Sequence, residues 1–94
     1  MLFEWDEAKS RANLDKHGVS FEEAQSVFND PLHIALLDHR FSYFEERWIT
    51  LGNSDLGRLL VVANLFFNED GEEVIRIISA RRATARERQY YEDT

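Results

Sequence analysis

Apolar positions along this chain change their spacing at Pro31. Before it they recur every three or four residues, as on one face of a helix; after it they alternate, as in a half-buried strand. Leu2-Phe3-Glu4-Trp5 is a short alternation that could add an edge strand. Asp6–Lys16 then reads as a short, mostly polar helix capped by Asp6, turning Ala8, Ala12 and Leu14 to the core. Gly18 stops it, because glycine takes the left-handed conformation cheaply. Ser20 opens a second helix, with Glu23 completing a capping box and Val19 placed as a hydrophobic staple. Phe21, Ala24, Val27 and Phe28 form its apolar stripe, and Asn29-Asp30-Pro31 ends it in a turn.

From there the period is two. Leu32–Asp38 is a strand, followed by an irregular link from His39 to Phe44. Glu45–Gly52 alternates Arg47, Ile49 and Leu51 against Trp48 and Thr50, and Asn53 to Gly57 is a turn. Arg58–Phe67 is apolar on both faces and therefore central. Glu69-Asp70-Gly71 supplies a hairpin turn, and Val74–Ala80 returns antiparallel. Thr84 with Glu87 is a further capping box that starts a C-terminal helix. The expected fold is α+β: two N-terminal helices packed on an antiparallel sheet of three to four main strands, with a C-terminal helix.

Ninety-four residues suit one domain spanning 1–94, and 44% hydrophobic residues suffice for its core. There is no cysteine, so disulfides, thiolate zinc sites and cysteine nucleophiles are excluded. No apolar run has membrane length, and a cytoplasmic protein with no membrane association is expected. The net charge of −7 opposes broad attraction to nucleic acid, so any such chemistry must sit at a local basic site. Residues 74–90 supply that site: five arginines against one acid, a local balance of +4. Taken alone, such a run is more often a solvated helix face with i,i+4 ion pairs.

Candidate chemistry is sparse. There is no Gly-rich phosphate loop, and His17, His33 and His39 lack the spacing of a helical metal pair, so no metal or cofactor is expected. Ser79 has no base partner near in sequence. Lys16 and His17 sit at a helix C-terminus, where they serve equally as a cationic C-cap. Arg47, Arg58 and Arg76 lie in or beside strands among apolar neighbours. Either Glu4, Glu45 or Glu46 pairs with them, or their planar forks gather around an anion such as phosphate.

Ordered motifs extend this reading. They are Phe3-Glu4-Trp5-Asp6-Glu7-Ala8-Lys9; Asn13-Leu14 with Lys16-His17-Gly18-Val19-Ser20-Phe21-Glu22-Glu23-Ala24; Phe28 with Asp30-Pro31; Glu45-Glu46-Arg47-Trp48; Gly57-Arg58; and Arg76-Ile77-Ile78-Ser79-Ala80-Arg81 with Ala83-Thr84, Glu87-Arg88 and Tyr91-Glu92. Almost end to end, the chain resembles the BrnT toxin family. The resemblance implies a RelE-like fold and a ribonuclease toxin of a bacterial type II toxin–antitoxin module. Its partner would be a BrnA-type antitoxin with a ribbon-helix-helix part, through which the complex would reach operator DNA and repress its own operon.

Carried over by motif, the resemblance points to Lys16, His17, Glu46, Arg47, Arg58, Arg76 and Arg81. The implied chemistry is metal-independent RNA cleavage by attack of a 2′-hydroxyl on the adjacent phosphate. Such a step needs a base, cations for the crowded phosphorane and a proton for the leaving oxygen. Glu46 suits the first task, Arg58, Arg76 and Arg81 the second, and Lys16 or His17 the third. Asn64-Leu65-Phe66-Phe67 departs from the family's strand end, which is more often aromatic and then polar or basic. The alternative is a catalytically weak module of the same fold that mainly binds the antitoxin and regulates transcription. Two structural expectations follow. Arg58, Arg76 and Arg81 should share a hollow, which requires a bulge, twist or strand end before Arg81. The antitoxin should cover the residue 74–90 junction, anchored by Tyr90 or Tyr91.

Overall fold

The change of period at Pro31 coincides with a change of layer. In a computed structural model that describes residues 1–40 and 46–94, strand β1 (Leu2–Glu4) is followed by helices α1 (Glu7–His17) and α2 (Phe21–Ser26) and a 3-10 turn at Val27–Asn29. Strands β2 (Ile34–Leu37), β3 (Arg47–Asn53), β4 (Leu59–Glu69) and β5 (Glu72–Arg82) come next, and helix α3 (Ala85–Glu92) closes the described chain. The end of the irregular link, Phe41 to Phe44, and Glu45 lie outside the described residues.

The sheet corrects the expected fold. It has five strands in the order β1-β5-β4-β3-β2, and it is mixed, because β1 pairs parallel with β5 while the other pairs are antiparallel. A parallel neighbour needs a long crossover. Here α1, α2 and β2 to β4 all intervene between β1 and β5, a separation that local periodicity cannot reveal. The helical layer also differs: α2 is short, and the 3-10 turn carries part of its stripe onto β3. Strand ends shift by one to two residues, β5 extending at both ends beyond Val74–Ala80.

On the helix-covered face, Val19, Phe21, Ala24 and Val27 pack against Leu60, Val62, Ile77 and Ala80, with Phe3, Trp5 and Phe28 at the margin. Gly52 lets the 3-10 turn approach β3, since a Cβ there would meet Val27 Cγ1 at 2.9 Å and His33 Cβ at 3.0 Å. Across the sheet, Tyr91 of α3 packs with Leu51, Leu59 and Val61. Its hydroxyl donates to Asp30 at 2.6 Å, tying the C-terminal helix to the turn after α2.

The core face of α1 is not the expected one. Ala8, Ala12 and Leu14 are exposed, while Ser10 and Asn13 are buried. Pairing of β1 with β5 stops at Arg76, so among the described residues the backbone beyond has no strand neighbour on that edge. Asn13 substitutes for one: its Nδ2 donates to the Ala80 carbonyl at 2.8 Å and its Oδ1 accepts from the Ala80 amide at 3.1 Å. The same Nδ2 donates to the Val19 carbonyl, holding the chain just past Gly18. A polar residue is buried here because only it can satisfy an open strand edge.

Candidate active site on the second sheet face

Two residues that strict alternation sets on opposite faces, Arg76 and Arg81, share one face here. Ala63 pairs with Ser79 while Asn64 pairs with Ile77, so Ile78 is an extra, bulged residue. The bulge shifts the alternation by one, so Arg76 opposite Leu65 and Arg81 opposite Val61 fall on the same side. Ile77 and Ala80, three residues apart, both reach the helix-side core for the same reason. Arg47, also paired with Leu65, joins Arg76 on that second face.

His17 arrives from another layer. It stands four residues after Asn13 in α1, hence one turn along the same helix face. Since Asn13 is clasped to Ala80, His17 is carried over the β5 edge beside Ser79 and Arg81. These residues line a hollow of about 190 Å³ together with Asp38, Arg40 and Arg47. Its floor is Ile49, Val61 and Ala63. Two of its groups, Asp38 and Arg40, come from the strand end and link, which the motifs do not single out; the acid-base spacing Asp38-x-Arg40 is the local signal that marks them. Asp38 is buried, accepts from Arg40 Nε at 3.2 Å, and is held below the usual carboxylate range by that bond, against the cost of burial.

Arg81 is positioned by Glu87. Its Nη1 and Nη2 donate to the two carboxylate oxygens at 2.8 Å each, a fork-to-fork pair. Glu87 also accepts from the Thr84 amide, and Thr84 Oγ1 accepts from the Glu87 amide, completing the expected capping box. The Arg81 bond lowers the Glu87 pKa to about 2 despite partial burial. One carboxylate thus caps α3 and aims a guanidinium at the hollow.

The expected common hollow of Arg58, Arg76 and Arg81 does not form. Arg58 precedes β4 on the helix side, where its guanidinium grips Glu23, with Nε to Oε2 at 2.9 Å and Nη2 to the other oxygen. Its Nη2 also donates to the Gly18 carbonyl. Ser54 Oγ adds a bond to Glu23 at 2.7 Å, and the Glu23 pKa is lowered chiefly by Arg58. Ser20 caps α2 by accepting from the Glu23 amide, but the expected capping box is not completed: the Glu23 carboxylate, 6% exposed, is a buried counter-ion of Arg58 instead. Arg76 shares the face but not the hollow. It lies 3.5 Å from Glu4 and, with Glu46, borders a separate depression beside Leu65 and Phe67. Lys16 is exposed in the last turn of α1 and does not line the hollow of His17 and Arg81.

Of the seven expected residues, the fold therefore brings His17, Arg47 and Arg81 together. Arg76 and Glu46 lie one step along the same face, Lys16 is exposed at the end of α1 outside the hollow, and Arg58 lies behind the sheet. The concavity thus gathers guanidiniums, an imidazole, the exposed Ser79 hydroxyl and the Asp38 carboxylate, and guanidinium forks are the groups there whose geometry suits a phosphate-sized anion. Among the described residues, no group of three or more His, Asp or Glu is arranged to hold a metal ion.

The family model described as "Ribonuclease toxin, BrnT, of type II toxin-antitoxin system" matches residues 5–87. This chain belongs to the BrnT family. The match spans every element that builds the hollow, and membership in a toxin–antitoxin family implies an antitoxin partner. Among solved structures, the Brucella abortus ribonuclease toxin BrnT superposes with a TM-score of 0.59 at 22% identity, covering 89% of this chain and 99% of that one. At that identity the likeness establishes a common BrnT fold. No curated protein sequence matches the chain significantly. Among the described residues, no helix is long and apolar enough to cross a membrane.

Proposed function

We propose that this BrnT chain is a cytoplasmic, single-domain, metal-independent endoribonuclease whose reaction takes place in the hollow of His17, Arg47 and Arg81. The observation carrying this reading is the bulge at Ile78, which turns Arg81 toward Arg47 on the face not covered by α1 and α2. An RNA phosphate seats between the two guanidiniums. His17 takes the proton of the 2′-hydroxyl, whose oxygen attacks the phosphorus. The bond to the 5′-oxygen breaks, that oxygen takes a proton from solvent, and a 2′,3′-cyclic phosphate is left. The arginines oppose the charge that builds on the phosphorane, and imidazole is the side chain best able to exchange a proton near neutrality. Glu46, Arg58 and Arg76 take no part in bond making in this scheme.

Cleavage of a short RNA by the purified chain in excess EDTA, with the ends of the products analysed, tests the scheme. His17→Ala and Arg81→Ala should each slow cleavage by about 10²-fold or more. Abolition by EDTA, products lacking a cyclic phosphate, or unchanged rates in both variants would reject it.

The partner we propose is a BrnA-type ribbon-helix-helix antitoxin, with operator DNA contacted only through it. A groove of about 370 Å³ between α3 and the sheet, walled by Leu36, Ile49, Val61 and Tyr90 and flanked by Arg86, is suited to an acidic, apolar-anchored segment. Tyr90 is the anchor in this reading, since Tyr91 is engaged by Asp30. A second reading, a weakly catalytic binding module, is favoured by the two bonds from Arg81 to Glu87, with which a phosphate must compete. Growth arrest on expression without antitoxin separates the two.

A further inference from the structure

A second depression, of about 270 Å³, opens on the same sheet face beside the phosphate hollow. Arg47, Leu65 and Arg76 form one cross-strand row, and Ile49, Ala63 and Ser79 form the next. The two hollows therefore lie about 7 Å apart along the strands, two residues of β rise. That is comparable with the reach of one nucleotide in an extended single strand.

Its walls are Leu65, Phe66 and Phe67, the apolar run that departs from the family pattern. Phe66 alternates with Leu65 and Phe67, so its ring, held by Phe28 and Trp48 at centroid distances of 6.2 and 5.6 Å, turns to the helix-covered face and leaves Phe67 as the aromatic side chain of the depression. Phe67 is half-buried and, among the described residues, makes no ring contact. At the rim stand Glu46, which is exposed and makes no hydrogen bond or ion pair among the described residues, and Arg76, whose guanidinium approaches Glu4 at 3.5 Å.

We propose that this depression is a nucleobase subsite, taking an unstacked base of single-stranded RNA and favouring guanine. The proposal rests on the cleavage reading above and names the substrate feature it would select. Protein recognition of single-stranded RNA stacks splayed bases on aromatic rings and reads their Watson–Crick edges. At this strand end the Phe67 ring, beside Leu65, supplies such a wall. Of the four bases, only guanine presents two adjacent donors on that edge, N1–H and the N2 amino group, which one carboxylate accepts together. Uracil offers one N–H flanked by two carbonyls, and adenine and cytosine each offer an amino group beside an unprotonated ring nitrogen that repels the second carboxylate oxygen. Arg76 beside the base is positioned for the adjoining phosphate.

The test is titration of the isolated chain with the four nucleoside 5′-monophosphates, followed by amide chemical shifts, alongside cleavage mapping on one RNA. GMP should bind best and shift the amides of Glu46, Leu65, Phe67 and Arg76. Glu46→Gln should weaken GMP by about tenfold and level the four nucleotides, whereas Phe67→Ala should weaken all four by a similar factor. Glu46 is exposed, so its variant folds, and that fold can be checked by melting. Equal binding of the four nucleotides, or shifts confined to the hollow of His17 and Arg81, would overturn the subsite. So would a cleavage map whose base preference survives Glu46→Gln. GMP binding without RNA cleavage would defeat the enzymatic reading alone. Arg81-dependent cleavage without base discrimination would defeat the subsite alone.

Discussion

The two faces of the sheet use the same pair of residue types for opposite ends. Behind the sheet, Arg58 and Glu23 form an ion pair with the carboxylate almost wholly enclosed, its side chain 5% exposed and Arg58 27%. On the second face, Arg81 and Glu87 form a pair of similar geometry with side chains 43% and 31% exposed. The first joins α2 to the start of β4 and the end of α1, and desolvation makes it costly to break. The second aims a guanidinium into a hollow that solvent and an anion can reach. Burial, more than residue type, divides scaffold from site.

The largest expected effect comes from the covered face. Phe21→Ala should cost about 3–5 kcal/mol of unfolding free energy in denaturant titration, since a fully buried ring leaves a cavity. His17→Ala, by contrast, should leave the unfolding midpoint nearly unchanged while removing cleavage. A loss of stability in the second variant comparable to the first would erase the distinction between the faces.

Next comes Arg58→Ala, which leaves Glu23 buried without its counter-ion and should cost about 2–4 kcal/mol. Because the folded-state pKa of Glu23 is lowered, its contribution is present above the unfolded carboxylate pKa and is lost as pH falls through the folded value. Stability measured from neutral to acidic pH should therefore fall less steeply in the variant than in the parent. An equal slope would mean that Arg58 contributes little to that carboxylate.

Gly52→Ala should cost about 1–3 kcal/mol by forcing the 3-10 turn away from β3. Thermal melting would detect it, and RNA cleavage by the folded fraction should persist. If cleavage by the folded fraction is lost, the packing behind the sheet is coupled to the hollow.

Glu87→Gln should be milder, about 1 kcal/mol at most, because solvent screens the pair it breaks. Its signature is in pH. Glu87 titrates near 4.5 unfolded and about 2 folded, so its stabilisation is complete above the first value and disappears between the two as pH falls. The variant should lack that window. It should also bind phosphate differently, since Arg81 loses its restraint; unchanged anion affinity would mean Arg81 does not face the ligand.

The smallest effect on stability, within about 0.5 kcal/mol, is expected from Arg86→Glu with Arg88→Glu on exposed turns of α3. Antitoxin association should nevertheless slow and lose part of its salt dependence, while cleavage by the free chain changes less. Stopped-flow binding at low and high salt checks this. An unchanged rate and salt slope would relocate the antitoxin away from α3.

Local signals sufficed wherever the cause was local. The Asp6, Ser20 and Thr84 caps, the Gly18 stop, the change of period at Pro31 and the hairpin at Asp70-Gly71 were legible because each is settled within a few residues. So was the concentration of arginine between Val74 and Tyr90. His17, Arg47 and Arg81 of the hollow were legible through their motifs, but Asp38 and Arg40 were not, nor was the grouping of the five. Nothing near Arg58 in sequence announces Glu23, 35 residues away, as its partner. Nor does anything in the polar face of α1 announce that Asn13 completes the edge of β5, 67 residues on.

What the sequence determined by itself was the inventory: which segments are helical, which are extended, and where positive charge accumulates in an acidic chain. Tertiary structure decided the address of each charge. The parallel pairing of β1 ends at Arg76, leaving an edge that draws Asn13 and carries His17 beside it. The bulge at Ile78 reverses the alternation and turns Arg81 to the face of Arg47. Both depend on contacts between segments far apart in the chain, and a one-residue change of register moves a side chain to the other face of the sheet.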